Sequence, residues 1–434
     1  MKYNLLKGLA KKQQYFQQKN DSSNDSSNDS SNDSDGSLSS DDEIEVSKDI
    51  IYKWYNNRYY AIKYLGKGTF CRTWLMYDIL QDNCVAMKML YPKYYEDSKN
   101  ELKINKLITS NNHIVKLIDN FIVEGSACLI YELLGLTLLE ILDYYEDKQI
   151  PLNIVKKITI EILKGLEELH KQNIIHCDLK PENIMITQFD TSIQYIVDSI
   201  NSLSLKDKYS KMIEDNLPTN YNDFDKNKKK NVKRKIKKRC NNLLLDFIKE
   251  SLDLNSNASI PDFILNEENI KCKLIDLGNS EVIGINNEDE IMIRSYRPPE
   301  NIMNNFYNEK ADIWTVGCIV YELLTGDYLF DIDRDLCDND KDKQHLHQMY
   351  EILGKIPKDM ALECEYTDEL FDNQGRILNL KKCDYSSLEE IFKNDFNYTE
   401  KNARESSDFL KHLLDYNIKT RYSGTEALND SYLN

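Results

Sequence analysis

His176-Cys177-Asp178-Leu179-Lys180-Pro181-Glu182-Asn183 is the stretch on which the fold of this chain turns. A carboxylate, Asp178, can accept the proton of an attacking hydroxyl, and a lysine two positions on, Lys180, can stabilise a transferring phosphoryl group. An asparagine five positions beyond the aspartate, Asn183, can ligate magnesium. Chance assembly of this octet in a hydrophobic context is negligible, so it anchors the reading of everything on either side.

Toward the N-terminus, alternating apolar runs at 60–65, 73–77 and 84–90 predict three antiparallel strands. Helical spacing follows at 97–108, and two more apolar runs at 114–132 complete a five-stranded sheet with one helix. Between the first two strands lies Gly66-Lys67-Gly68-Thr69-Phe70-Cys71, where small residues let backbone N–H groups approach a polyphosphate. By itself such a loop more often marks a plain turn. The third glycine of the usual pattern is Cys71 here, and the later valine is Thr73. The order of the next residues decides the matter. Ala86-Met87-Lys88 puts a lysine on the third strand, able to neutralise α- and β-phosphates, and Glu101 on the following helix is placed to hold that lysine by an ion pair.

Toward the C-terminus, Asp276-Leu277-Gly278 follows the strand-like Lys273-Leu274-Ile275 and supplies a carboxylate for Mg²⁺ bridging the phosphates. Beyond Gly135 the chain reads as mainly helical, as at 154–170, 311–324 and 406–414. One segment interrupts it: between about Thr187 and Ile270 apolar periodicity fades, and 226–239 holds ten Lys or Arg in fourteen positions. Residues 188–270 are therefore expected to be a mostly flexible insertion, because a loop of this length has no place inside a compact core. Residues 1–50, with Asp-Ser-Ser-Asn repeats at 21–35 and the acidic run 41–45, are expected to be disordered.

The 434 residues are 41 % hydrophobic, enough for two packed lobes. Ten scattered cysteines without metal-ligand spacing are expected to be free thiols of a reducing compartment. The absence of a long apolar run predicts an intracellular soluble protein. A net charge of −17 argues against a general nucleic-acid-binding surface and favours a basic partner.

With these motifs in order, the chain resembles the protein kinases over 58–187 and 271–434, and within them the SR-protein kinases. The residues carrying the closer resemblance are Asp276-Leu277-Gly278-Asn279, Ala86-Met87-Lys88-Met89, Tyr296-Arg297, Gly326-Asp327-Tyr328-Leu329-Phe330 and the long insert between Asn183 and Asp276. The resemblance implies an α+β bilobal protein kinase fold, with a five-stranded antiparallel N-lobe at 58–135 and a mainly helical C-lobe at 136–187 and 271–434. It implies ATP- and Mg²⁺-dependent phosphorylation of serines in Arg-Ser repeats of splicing factors. It also implies a protein of cytoplasm and nucleus, expected to act as a monomer without direct nucleic-acid or membrane contact.

Residue by residue, the resemblance puts Leu65, Gly66, Lys67, Gly68, Thr69, Phe70, Cys71, Thr73, Ala86, Lys88 and Met185 around ATP, with Tyr131 as gatekeeper and the backbone of Glu132 and Leu134 on the adenine. Asp178, Lys180, Lys88 and Glu101 are the catalytic set, and Asn183 and Asp276 the metal ligands. Pro298-Pro299-Glu300 matches the end of an activation segment, with Glu300 expected to pair with Arg421, and Asp312 is expected to accept hydrogen bonds from backbone. The acidic stretch containing Asp327, Asp331, Asp333, Asp335, Asp338, Asp340 and Asp342, together with Glu351, resembles a docking groove for Arg-rich substrate.

Several positions depart from the pattern. Cys177 stands where many kinases have the arginine that reads a phosphate on the activation segment, and 276–300 contains no threonine, so activity without loop phosphorylation is expected. Ile293 replaces a threonine that usually bridges the catalytic aspartate and lysine, and Asn105 is polar where the helix normally contributes an apolar side chain; either could slow turnover. The competing readings are a pseudokinase scaffold, a LAMMER or dual-specificity kinase, and an additional nucleic-acid or importin contact at 226–239. The basic run is also a candidate to fold back on the acidic stretch and compete with substrate.

Overall fold

The computed structural model describes residues 50–251, 265–284, 290–303, 306–333, 335–378 and 385–434. The expected disorder of 1–50, together with Asp338's side chain, lies outside what is described.

Strands β1 (Trp54–Tyr55), β2 (Tyr59–Lys67), β3 (Cys71–Asp78), β4 (Asn83–Leu90), β5 (Leu117–Val123) and β6 (Ser126–Glu132) form one antiparallel sheet in the order β1-β2-β3-β4-β6-β5. This is the expected five-stranded sheet with a two-residue strand added at its edge. The register sets the site: Gly66 lies opposite Thr73, Thr73 opposite Lys88, and Ala86 opposite Tyr131. Side chains alternate between faces of a strand, so Ala86 and Lys88 point to the same side of the sheet. Irregularities between Ala61 and Lys63 and between Tyr64 and Gly66 break the β2–β3 ladder just before the glycine-rich turn. Helix α1 (Asp97–Leu107) joins β4 to β5.

The C-lobe is built on α2 (Leu138–Leu142) and α3 (Leu152–His170), whose apolar residues Ile154, Val155, Ile158, Ile162, Leu166 and Leu169 recur at helical spacing and are buried. Short strands β7 (Ile174–Ile175) and β8 (Ile184–Ile186) bracket the catalytic octet. Farther along the chain, β9 (Cys272–Leu274) pairs with β8 and β10 (Glu281–Val282) with β7, which closes the two sides of the octet against 272–282. Helices α7 (Pro299–Ile302), α8 (Lys310–Thr325), α9 (Asp338–Leu353), α10 (Lys358–Glu363), α11 (Thr367–Leu370), α12 (Leu388–Asn394), α13 (Glu400–Leu413) and α14 (Gly424–Leu428) complete the lobe.

Helix α8 is buried along its length. Gly317 lets it approach closely, since a Cβ there would sit 2.8 Å from the Leu414 side chain. Arg421 and Glu300 pair as expected, with Nη1 to Oε1 at 2.6 Å and Nη2 to Oε2 at 2.8 Å, both side chains fully buried. Two further guanidinium donors, on Nε and Nη1, reach the carbonyls of Asp415 and Lys310, so four of the five N–H groups of the buried charge are engaged.

The insert departs from the expectation of a mostly flexible loop. Residues 191–251 form α4 (Thr191–Ser202), α5 (Leu205–Asp215) and α6 (Lys226–Ser251). Ile193, Ile196 and Ile200, then Leu205, Tyr209 and Ile213, then Cys240, Leu244 and Ile248 fall three or four residues apart and are buried. Most of them share one apolar cluster with Tyr60, Ile62, Leu75, Tyr77 and Ile79 of the N-lobe sheet. The indole Nε1 of Trp54 donates to the Asn241 carbonyl at 2.9 Å, and the Tyr209 hydroxyl to Asn241 Oδ1 at 2.6 Å. The lysine run conceals this pattern because it dominates the composition while occupying the outward face of α6: Lys230, Lys233, Arg234, Lys237 and Lys238 are exposed, while Ile236 packs against the apolar cluster.

Full burial of an Ile or Leu side chain is worth roughly 1.5–3 kcal/mol, so the insert is a stabilising part of the N-lobe. Deleting 191–251 should expose the strip around Tyr60, Leu75 and Tyr77. The midpoint of thermal unfolding should fall and binding of a hydrophobic dye should rise, and Leu244→Asp should do the same in the full chain. An unchanged melting curve for both variants would return the segment to the status of a loop.

Candidate active site

The catalytic octet is held by one buried carboxylate. Asp312, near the start of α8, accepts from the backbone N–H of His176 at 2.9 Å and of Cys177 at 3.3 Å, and its Oδ2 lies 2.8 Å from His170 Nε2. Asp312 thus takes the backbone-acceptor place expected of it. Cys177 is fixed at φ 63°, a left-handed conformation that costs a residue with a Cβ and persists only where surroundings impose it. His176 Nε2 lies 3.0 Å from the Ile275 carbonyl, and Ser280 Oγ donates to the His176 carbonyl at 3.1 Å. These bonds attach the octet to the 275–280 segment without any charged side chain at 177.

Within the octet, Lys180 Nζ lies 3.0 and 3.1 Å from the two Asp178 oxygens. Asn183 Nδ2 donates to the Asp178 carbonyl at 2.7 Å and to Asp178 Oδ2 at 3.1 Å. Because its amide nitrogen is engaged this way, Asn183 has its oxygen left for a cation. Asn279 Nδ2 adds a third donor to Asp178 Oδ2, at 3.3 Å. Ile293, at the departure from the usual threonine, is 42 % exposed, and Lys180 spans to Asp178 without it.

Across from the octet, Lys88 Nζ meets Glu101 Oε1 at 3.0 Å and Oε2 at 2.9 Å, and Asp276 Oδ1 at 2.7 Å. Burial favours a neutral amine, but Glu101 and Asp276 outweigh it and hold Lys88 above its ordinary range. Burial likewise opposes ionisation of Asp276, and Lys88 outweighs it, so this carboxyl lies below its ordinary range. Both groups are therefore charged at neutral pH.

Tyr131, Leu134 and Met185 belong with Leu90, Val115, Ala127 and Leu129 to one apolar cluster, against which Cys71 also packs. Ala86, opposite Tyr131 in the ladder, adjoins it. Leu65 is half-buried against the outer N-lobe cluster shared with the insert. Thr73 is half-buried, while Lys67, Gly68, Thr69 and Phe70 are exposed at the turn. A Cβ at Gly66 would meet nothing within 4 Å and one at Gly68 only Cys71 Sγ at 3.6 Å, so these glycines leave open space beside the backbone. At the hinge, Glu132 is tied through its carboxylate to Lys273 Nζ at 2.6 Å and to the Lys116 N–H at 2.8 Å. Among the described residues, no hydrogen bond engages the buried N–H of Leu134.

These features fit a nucleotide and a hard divalent cation. Orphaned N–H at the hinge, open glycine turn, charged lysine and oxygen-only donors Asp276 and Asn183 suit phosphate and oxygen chemistry. Among the described residues no three His, Cys, Asp or Glu side chains converge on a metal position of their own. The phosphates would have to complete the coordination.

The acidic stretch separates into two parts. Asp327, Asp331, Asp333, Asp335 and Asp340 are exposed, and Glu351 borders on exposure near His347. Asp342 is half-buried and already paired with Arg294 of the activation segment, so its charge is spoken for. No cation of 226–239 forms an ion pair with the acidic stretch among the described residues, which leaves the fold-back idea without a contact. Sequence reading missed Asn100, whose amide reaches the Gly278 and Ser280 carbonyls at 2.8 and 3.1 Å, and His170 beneath Asp312. Asn279 was noticed only as a mark of resemblance. None of the three carries a spacing signal of its own.

A family model described as "Protein kinase domain" matches residues 59–199 and 261–433, breaking within the insert. Among similar proteins, "Protein kinase dsk1" of Schizosaccharomyces pombe is 29 % identical, with 88 % of this chain and 81 % of that protein covered. "Serine/threonine-protein kinase SRPK" of Physarum polycephalum is 27 % identical, covering 87 % and 86 %. "SRSF protein kinase 3" of Homo sapiens is 26 % identical, covering 92 % of each. The likeness to SR-protein kinases expected from the motifs thus recurs in the names of its relatives, and with the family model spanning both lobes, this chain belongs to the protein kinases.

Proposed function

We propose that the chain transfers the γ-phosphate of ATP, with Mg²⁺, to serines in Arg/Ser-rich protein segments. The observation that carries this reading is the opposition of the Asp178–Lys180–Asn183 set to the Lys88–Glu101–Asp276 set. Asp178, fixed by donors from Asn183, Lys180 and Asn279, orients the substrate hydroxyl and takes its proton. Lys180 stands beside that hydroxyl, where a cation stabilises charge on the transferring group. Lys88, charged and oriented by Glu101, receives the α- and β-phosphates, and the Leu134 N–H receives the base. Asp276 and Asn183 would hold the divalent ion, which when bound would neutralise charge on phosphate oxygens.

Substrate class rests on charge and on relatives. The exposed Asp327, Asp331, Asp333, Asp335 and Asp340, on a chain of net charge −17, favour an arginine-rich peptide, and relatives named as SR-protein kinases support the same choice. The pseudokinase reading is weakened because Lys88, Asp178 and Asp276 are all present. An Arg-Ser repeat peptide should be phosphorylated well ahead of a Ser-Pro peptide, and Asp178→Asn should lower kcat by about a hundredfold or more. Equal rates for wild type and Asp178→Asn would remove the enzyme reading, while preference for Ser-Pro would move the chain to another kinase group.

Activity without activation-segment phosphorylation is supported by the bonds within that segment. Arg297 donates to the Ile291 and Met292 carbonyls at 3.1 and 3.2 Å, the Met292 N–H donates to the Cys177 carbonyl at 2.9 Å, and Arg294 pairs with Asp342. These internal contacts do the positioning that an arginine–phosphate pair does elsewhere. Protein made in bacteria and treated with phosphatase should keep full activity; a strict requirement for a second kinase would end this part. We propose also that the run on α6 contacts an import receptor and gives access to both cytoplasm and nucleus. Replacing Lys233, Arg234, Lys237 and Lys238 by glutamine should then hold a fluorescent fusion in the cytoplasm, and undiminished nuclear signal would exclude that role.

A further inference from the structure

Helix α1 carries Glu101, yet it has little apolar surface with which to hold its place. Of its eleven residues only Ser98, Glu101 and Ile104 are buried. A helix this short is marginal on its own, so its position must come from tertiary contacts. Ile104 in the main core and the half-buried Leu102 give some apolar hold, and the rest of the contacts are polar. Asn100 binds the carbonyls of Gly278 and Ser280, and Glu101 binds Lys88.

The third contact comes from Tyr131, with Asn105 beside it. Tyr131 on β6 donates its hydroxyl to Glu101 Oε1 at 2.6 Å, with Tyr131 8 % and Glu101 2 % exposed. Asn105, one turn beyond Glu101, donates its amide to the Glu101 carbonyl at 2.8 Å and stands beside the Tyr131 phenol, near enough to favour its ionised form. An apolar residue at 105 would take a polar neighbour away from the buried phenol, and a phenylalanine at 131 would leave Glu101 without one of its two donors. The two polar residues answer each other.

We propose that Tyr131 and Asn105 form a polar bolt that locks α1 in the position where Glu101 engages Lys88, which makes Tyr131 a positioning residue for phosphoryl transfer. The bolt replaces the apolar contact between helix and sheet that the resemblance led one to expect. A hydrogen bond to a buried carboxylate is among the stronger kinds, short and charge-assisted, and its loss leaves an under-solvated charge. Burial beside Glu101 holds the phenol far above its ordinary range, so it remains a donor throughout neutral pH. This inference rests on the kinase reading above.

The test compares full-length wild type, Tyr131→Phe, Asn105→Leu and the double variant, using steady-state kinetics on an Arg-Ser peptide and hydrogen–deuterium exchange of residues 97–107. Each single change should lower kcat about tenfold with peptide KM within twofold, and should speed exchange in α1. The double variant should lose no more kcat than Tyr131→Phe alone, because once the phenol is gone Glu101 has already lost that donor and Asn105 has no phenol left beside it. Single variants with wild-type kcat and exchange would overturn the bolt, as would losses that multiply in the double variant. Loss of thermal stability at unchanged kcat would mean a structural contact only, and would also overturn it. Should wild type phosphorylate no peptide, the functional reading fails separately, and exchange alone decides the bolt.

Discussion

Lys88 is the single group on which the arrangement of this molecule depends. It stands on β4, its ammonium within 3.0 Å of a carboxylate from α1 and 2.7 Å from one that follows β9. A strand, the helix that follows it and a segment 188 residues farther along the chain from Lys88 meet at one charge. A buried ammonium is costly unless compensated, and here two carboxylates compensate it, so the three pieces favour one another's presence. The same arithmetic keeps Lys88 and Asp276 charged and ready for phosphate and cation.

The lower half of the site is governed by a different economy of bonds. Asp312 gathers two backbone N–H groups and His170, and so imposes the left-handed turn at Cys177 that presents Asp178. Nothing in this device needs a positive side chain at 177. The activation segment is fastened to the octet by the Met292 to Cys177 backbone bond and to α9 by Arg294 and Asp342. An arginine at 177 would be redundant to that web.

The insert shows how composition and periodicity can point opposite ways. Ten cations in fourteen residues suggest a solvated strand of charge, while Cys240, Leu244 and Ile248 continue the same helix and lie buried. Charge on one face does not forbid burial on another; a helix separates the two by angle. The cluster these residues share with Tyr60, Ile62 and Leu75 extends the N-lobe core outward. The sheet face that would otherwise meet water is covered by the chain's own insertion.

Much of the site was legible because its parts are local. The octet places Asp178, Lys180 and Asn183 within six residues, and strand alternation puts Lys88 on a face shared with Ala86, so residue type and short spacing were enough. What lay beyond reach depended on pairs distant in sequence. Tyr131 reads as a gatekeeper of the adenine pocket and Asn105 as an isolated departure, because the bond that ties the sheet to the helix here, Tyr131 to Glu101, spans 30 residues of sequence. Asp342 read as a free acid until the activation segment brought Arg294 to it. The sequence by itself therefore determined the chemistry and the order of the lobes, since these follow from residue type and periodicity along the chain. Only the tertiary structure decided which charges remain available and what holds α1 in place, since a partner's distance in space leaves no trace in local spacing.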